Sequence, residues 1–263
     1  MKQRTERRGS SGWASKTGWL AIGLTLATMT QAQEARPGAG PKQPDYPPPP
    51  AVAVTGFKVP GTPSKCLSSI EQSGRSDALG FTQSTDSVRV AGTFHVNTAT
   101  VCLPTADPKV QRVVVATFST DPATTTFYQA DLRARILQYA QGQPMTGSGA
   151  VPIMTGNGAG ITLRMLSGRG PAADMAAARA TANQLGMSIG NPTPGGEVVL
   201  TGRGAQVVVA SSRTSQPMGG LAIAYQTSAI VLIGSSTYDH EPLGREATDA
   251  VLARIMPQPV YLR

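Results

Sequence analysis

One pattern occurs twice in this chain and limits what it can fold into. VVVATFSTDP leads into a helical stretch ending LRARIL, and IVLIGSSTYDHEP leads into one ending VLARIM. Each is a β-branched run, a Ser-Thr loop, an acid, a proline and an amphipathic segment. The runs read as strands because Val and Ile fit a pleated, buried surface. Asp before Pro reads as a helix start, since the carboxylate accepts from free amides and proline suits the first turn. A chain with two such units folds as α+β, with antiparallel strands carrying helices on one face. The repeat is either an old duplication or two units that converged on one pattern.

The rest of the chain fills in around these units. Val88-Arg89-Val90 and Thr93-Phe94-His95-Val96 read as one strand or a bent pair, followed by the strand Val110 to Phe118. The helix after Pro122 places Tyr128, Leu132, Ile136 and Ala140 on one face at i+4 steps. Residues 143–160 read as a Gly-rich, flexible connector. A strand then spans Ile161 to Leu166, and an Ala-rich helix spans Pro171 to Leu185, with Met175, Ala178, Ala182 and Leu185 on one stripe and Gly186 placed to stop it. Four short strands follow, Glu197 to Thr201, Ala205 to Ser211, Gly220 to Tyr225 and Ala229 to Gly234, with short turns that make an antiparallel meander. The last helix runs from Pro242 to Met256, with Leu243, Ala247, Val251 and Ile255 inward.

The N-terminus reads as an export signal. Lys2, Arg4, Arg7, Arg8 and Lys16 precede an apolar run from Trp19 to Met29, and Thr30-Gln31-Ala32 supply small side chains for cleavage after Ala32. An apolar helix of this length spans about 16 Å, too short for a bilayer core of about 30 Å. Residues 1–32 are therefore expected to be a signal peptide, leaving no permanent membrane span. Residues 33–56 are expected to be a Pro-rich linker, extended as polyproline II around Pro47 to Pro50. The first α+β unit is expected over 57–142 and the second over 161–263.

Export changes how the charge and the cysteines are read. The chain has 23 basic and 15 acidic residues. Five of the basic residues and one acid belong to the signal, so the mature chain is only mildly basic. It has no dense Lys/Arg run, and nucleic acid is not expected as a partner. Cys66 and Cys102 are the two cysteines. In an oxidising compartment an even pair closes, and no C-x-x-C spacing marks a redox role.

Sites for chemistry are scarce. Gly156-Asn157-Gly158-Ala159-Gly160 precedes a strand, whereas a phosphate loop follows a strand and opens a helix. The two histidines, His95 and His240, lie in different units, and with the cysteines oxidised a zinc ligand set is missing. No G-x-S-x-G elbow occurs. Asn191-Pro192-Thr193 is barred from glycosylation by its proline. No cluster of aromatics offers a stacking platform for sugars or bases. Asp239-His240-Glu241 is the densest titratable cluster, and its plain reading is a polar helix start, where acids favour the positive end of the dipole.

SVRVAGTF, VVVATFST and ARATANQLGMSIG, in this order after a signal peptide, resemble the SIMPL-domain family of bacterial envelope proteins. That resemblance implies a non-enzymatic α+β protein of the envelope, and it transfers no functional residue. The sequence therefore favours a non-catalytic exported protein (periplasmic, cell-envelope or secreted) that binds an envelope partner or a small ligand, with no cofactor and no metal. Two alternatives stay open. One is a secreted hydrolase using Asp239, His240 and Ser235 or Ser236. The other is a weak polyanion binder using Arg164, Arg169, Arg203 and Arg213.

Overall fold

The computed structural model describes residues 45–75, 80–84, 87–143, 155–214 and 228–255. The expected signal peptide over residues 1–32, residues 33–44 of the expected linker and the strand expected over Gly220 to Tyr225 lie outside the described residues. The first half runs β1 (Ala51–Pro60), α1 (Pro63–Arg75), β2 (Gly80–Ser84), β3 (Val88–Gly92), β4 (Asn97–Pro104), β5 (Val110–Ser119) and α2 (Pro122–Ala140). The second runs β6 (Ala159–Gly168), α3 (Pro171–Leu185), β7 (Ser188–Ile189), β8 (Val198–Gly202), β9 (Ala205–Arg213), β10 (Ser228–Thr237), a 3₁₀ turn (Tyr238–His240) and α4 (Glu241–Ile255).

The two halves share one topology. The sheet orders are β1-β5-β4-β3-β2 and β6-β10-β9-β8-β7, and every neighbouring pair is antiparallel. The two stretches that read alike are β5–α2 and β10–α4, which hold the same place in each half. The α+β class and the two related units are thus present, each sheet carrying its helices on one face.

The other faces of the sheets meet. Side chains alternate across a strand, so β5 sends Val114, Ala116 and Phe118 inward against Val231 and Ile233 of β10 and Val208 and Ala210 of β9. Val113 and Val115 point the other way, into a core with Leu132 and Ile136 of α2 and Cys66 and Ile70 of α1. Ile230 and Leu232 do the same toward Ala178 and Ala182 of α3 and Val251 and Ile255 of α4. The layers are helices, sheet, sheet, helices.

Local chemistry sets the helix ends. Asp121 caps α2, accepting from Ala123 N at 3.2 Å and Thr124 N at 3.1 Å, with Pro122 in the first turn. Gly186 ends α3 with φ +67°, in the left-handed region where glycine is unstrained. Cys66 of α1 and Cys102 of β4 form a disulfide, 36 residues apart in sequence, inside the buried α1–sheet contact.

Four expectations need correcting. The linker ends earlier, because residues 51–56 are the first part of β1, and pairing to β5 from Ala51↔Ser119 onward outweighs the prolines before them. Residues 93–96 are a turn rather than strand, closed by Thr93 N donating to Val96 O at 2.8 Å. The end of the Gly-rich connector is held rather than loose. Thr120 N donates to Asn157 O at 2.8 Å, Asn157 N to Thr120 Oγ1 at 2.8 Å, and Gly158 N to Phe94 O at 2.8 Å. Its last two residues begin β6, which starts at Ala159. Finally, β9 and β10 are hydrogen-bonded directly to each other.

Candidate functional site

β5 and β10 both run toward one end of the sandwich, and the two ends differ in character. At the end where β5 begins, the halves part to leave a cleft of about 710 Å³. Its walls come from both halves: Gly56 to Lys58 of β1, the β4–β5 hairpin, the first residue of α3, Pro194-Gly195 and the end of β9. Lys58 stands opposite Arg112 in the β1–β5 register, so both project from the same face, toward the second half.

Arg112, which lines this cleft, belongs to a charge pair buried behind it. Arg112 donates to Ser211 O and Gly195 O, and to Glu197 Oε1. Thr193 Oγ1 donates to the other Glu197 oxygen. The Glu197 side chain is 0% exposed and that of Arg112 14%. Gly56 is required here, because a Cβ at that position would overlap the Glu197 carboxylate. Beside the cleft, Asp174 of α3 is buried. It accepts from Arg169 N at 2.8 Å and Ser211 Oγ at 2.7 Å, and from Ser228 Oγ. With Arg112 committed, Lys58 and Arg213 are the exposed cations of the cleft, against one carboxylate, Asp107.

The predicted hydrolase residues are not brought together. Ser236 Oγ donates to His240 O at 2.8 Å and Glu241 O at 3.1 Å, and accepts from Gly244 N at 3.1 Å. It closes the first turn of α4 through the backbone. Ser235 points to the opposite face of β10, between the sheets, where its hydroxyl is buried without a hydrogen-bond partner. Asp239, His240 and Glu241 are exposed. Asp239 faces a groove of about 350 Å³, and Glu241 a separate small one.

The four arginines do not make one patch. Arg164 is paired with Asp249 of α4, Nε to Oδ1 at 2.9 Å. Arg203 and Arg213 lie at opposite ends of β9, and Arg203, with φ +57°, turns the β8–β9 hairpin. Arg169 follows β6 at the same end of the sheet as Arg213, with β10 between them, since Gly168 and Arg213 both pair with Ser228. Among the described residues no group of three or more His, Cys, Asp or Glu could hold a metal ion. None of the described helices is long and apolar enough to cross a membrane.

Sequence reasoning missed Lys58, Arg112 and Glu197, and one signal was available: an arginine inside the valine-rich strand VQRVVVATF. It also missed Phe94 and Tyr238, which line the same groove as Asp239 at the far end.

No protein-family model matches this chain, and no curated protein matches it. Among solved structures it is similar to two di-domain ARO/CYC proteins. For BexL of the BE-7585A biosynthetic pathway the identity is 8%, the coverage 77% of this chain and 93% of that one, and the TM-score 0.26. For StfQ of the steffimycin pathway the figures are 8%, 77%, 90% and 0.25. DynU16, from the dynemicin biosynthetic locus, aligns at 9% identity over 77% of this chain and 97% of that one, with a TM-score of 0.23.

Proposed function

We propose that this protein is exported and acts as a non-catalytic binding module, holding an anionic small ligand in the cleft between its halves. The observation that carries the reading is the 710 Å³ cleft, which neither half makes alone. Its volume lies in the range of small-molecule sites, about 300–1,000 Å³. Its exposed cations, Lys58 and Arg213, outnumber its one exposed acid, Asp107, while Arg112 is neutralised by Glu197. A negatively charged group on the ligand fits that balance.

Three further points support the reading. The Cys66–Cys102 disulfide suits an oxidising compartment, as does the three-part N-terminal signal. A serine hydrolase needs its nucleophile and base within reach of one another, whereas Ser236 is committed to the turn of α4 and Ser235 points to the opposite face of β10. The resemblance to SIMPL-domain proteins points the same way.

The test is to recover the chain from its native host, sequence its N-terminus and weigh it by native mass spectrometry. A mature chain beginning at Gln33 that carries a small-molecule adduct, lost in Lys58→Glu/Arg213→Glu, is the expected result. A chain that keeps Met1 inside the cell overturns export. An adduct-free protein, or an adduct the double variant retains, overturns the cleft.

A further inference from the structure

From the groove at the opposite end of the sandwich, we infer a second binding site whose ligand is a neutral saccharide. It lies where β5 ends, roughly 30 Å along the strand from the cleft. Phe94, from the β3–β4 turn, and Tyr238, just after β10, line it together. They are 75% and 53% exposed, two of the three large hydrophobic side chains left open among the described residues. Exposed apolar rings gathered at one concave place mark a binding surface.

The Tyr238 ring and the turn that carries Phe94 are both anchored. The Tyr238 hydroxyl accepts from Asn97 Nδ2, which also donates to Ala159 O at 2.6 Å. The Phe94 carbonyl accepts from Gly158 N at 2.8 Å, and its ring meets His95 edge to face with centroids 5.3 Å apart. His95 Nδ1 is in turn 2.8 Å from Gly156 O. A ring anchored before binding, as Tyr238 is, loses little freedom on meeting a ligand.

The polar lining selects the ligand. Thr120, Asn157, Thr237 and Asp239 share the groove, and among the described residues no Lys or Arg lines it. Asp239 disfavours an anion, and its ionised carboxylate only accepts hydrogen bonds. Pro47 and Pro48 form one wall, so a proline-rich peptide is the natural competitor. Such a peptide brings no backbone N–H for a carboxylate. A saccharide brings hydroxyl donors for Asp239, acceptors for Asn157 and the threonines, and an apolar C–H face for the rings.

The experiment is isothermal titration of the full chain with chitotriose, with maltotriose and with an octaproline peptide. Saturable binding of at least one trisaccharide is expected, weakened about tenfold or more by Phe94→Ala and by Tyr238→Ala. Phe94→Ala removes an exposed ring and leaves the melting temperature near that of the wild type. Asp239→Asn weakens the same binding. Absence of trisaccharide binding at millimolar concentration overturns the inference. So does binding that survives the loss of both rings, or binding of octaproline alone.

Discussion

The Arg112 guanidinium of β5 donates to the Glu197 carboxylate ahead of β8, closing a charge pair between the two halves. Glu197 has no exposed side-chain surface, so its charge is tolerable only while Arg112 and Thr193 face it. Breaking a buried pair on one side leaves an uncompensated charge and costs about 3–5 kcal/mol. Arg112→Met is expected to lose that much in urea unfolding. Arg112→Met/Glu197→Leu is expected to recover most of it, because the remaining partner is then apolar as well.

Asp121 gives a prediction in pH. The Thr124 and Thr155 hydroxyls, with the amides of Thr124 and Ala123, hold its carboxyl down at about 2, below its ordinary 3.8. The folded pKa is depressed, so the stabilisation is fully present above pH 4. It is lost as the pH falls from about 4 through about 2. Melting temperature followed from pH 6 to pH 2 is expected to drop less steeply at the acid end in Asp121→Asn. The variant also melts lower at neutral pH, because the cap of α2 and the tie to Thr155 at 2.7 Å are both weakened.

The disulfide contributes through the unfolded chain. Closing a 36-residue loop stabilises by about 3.8 kcal/mol at most in the chain-entropy model. Cys66→Ala/Cys102→Ala is expected to lose most of this in chemical denaturation. Intact mass of unreduced protein after alkylation is expected to show no added label. Two alkylated thiols would remove the basis of both expectations.

α4 lies close on β10 because of two glycines. A Cβ on Gly234 would overlap Thr248 Oγ1 and come within 2.7 Å of Gly244 O, which is backbone and moves only with the helix. Gly234→Ala is expected to cost about 1–3 kcal/mol as an overpacked contact. Gly142 serves as the control: its φ is +71° but nothing lies within 4 Å of an added Cβ. Gly142→Ala carries backbone strain alone and is expected to cost less in the same thermal melt.

The helices α2, α3 and α4 were legible because their buried faces are apolar at helical spacing and their ends carry Asp-Pro, Pro and Gly signals. α1 was not, because its buried face includes Ser69 and Ser73. Their hydroxyls donate back to Lys65 O at 2.9 Å and Ile70 O at 2.7 Å, so the helix satisfies polar groups that read as loop. β1 was hidden by the tetraproline just before it, and β4 by its alternation of Thr and Ala, which carries little apolar contrast. The groove of Phe94 and Tyr238 was illegible for another reason. The rings lie far apart in sequence, and only the meeting of the two halves brings them together.

The last prediction separates packing from chemistry at the densest titratable cluster. Asp239, His240 and Glu241 are exposed at the entry to α4, where acids are favoured by the helix dipole at about 0.3–1 kcal/mol each. The side chain that organises this turn is Ser236, which bonds two carbonyls and one amide. Ser236→Ala removes these three bonds, the one from Gly244 N being buried, and is expected to cost about 1–3 kcal/mol. His240→Ala removes no hydrogen bond that shapes the turn, and its melting temperature is expected to stay close to the wild type. Complementation of a deletion strain reads the function of both. Function is expected to survive in His240→Ala, and in Ser236→Ala at temperatures where the variant remains folded. A His240→Ala protein that melts normally yet abolishes function would make the cluster an active site and the hydrolase the correct reading.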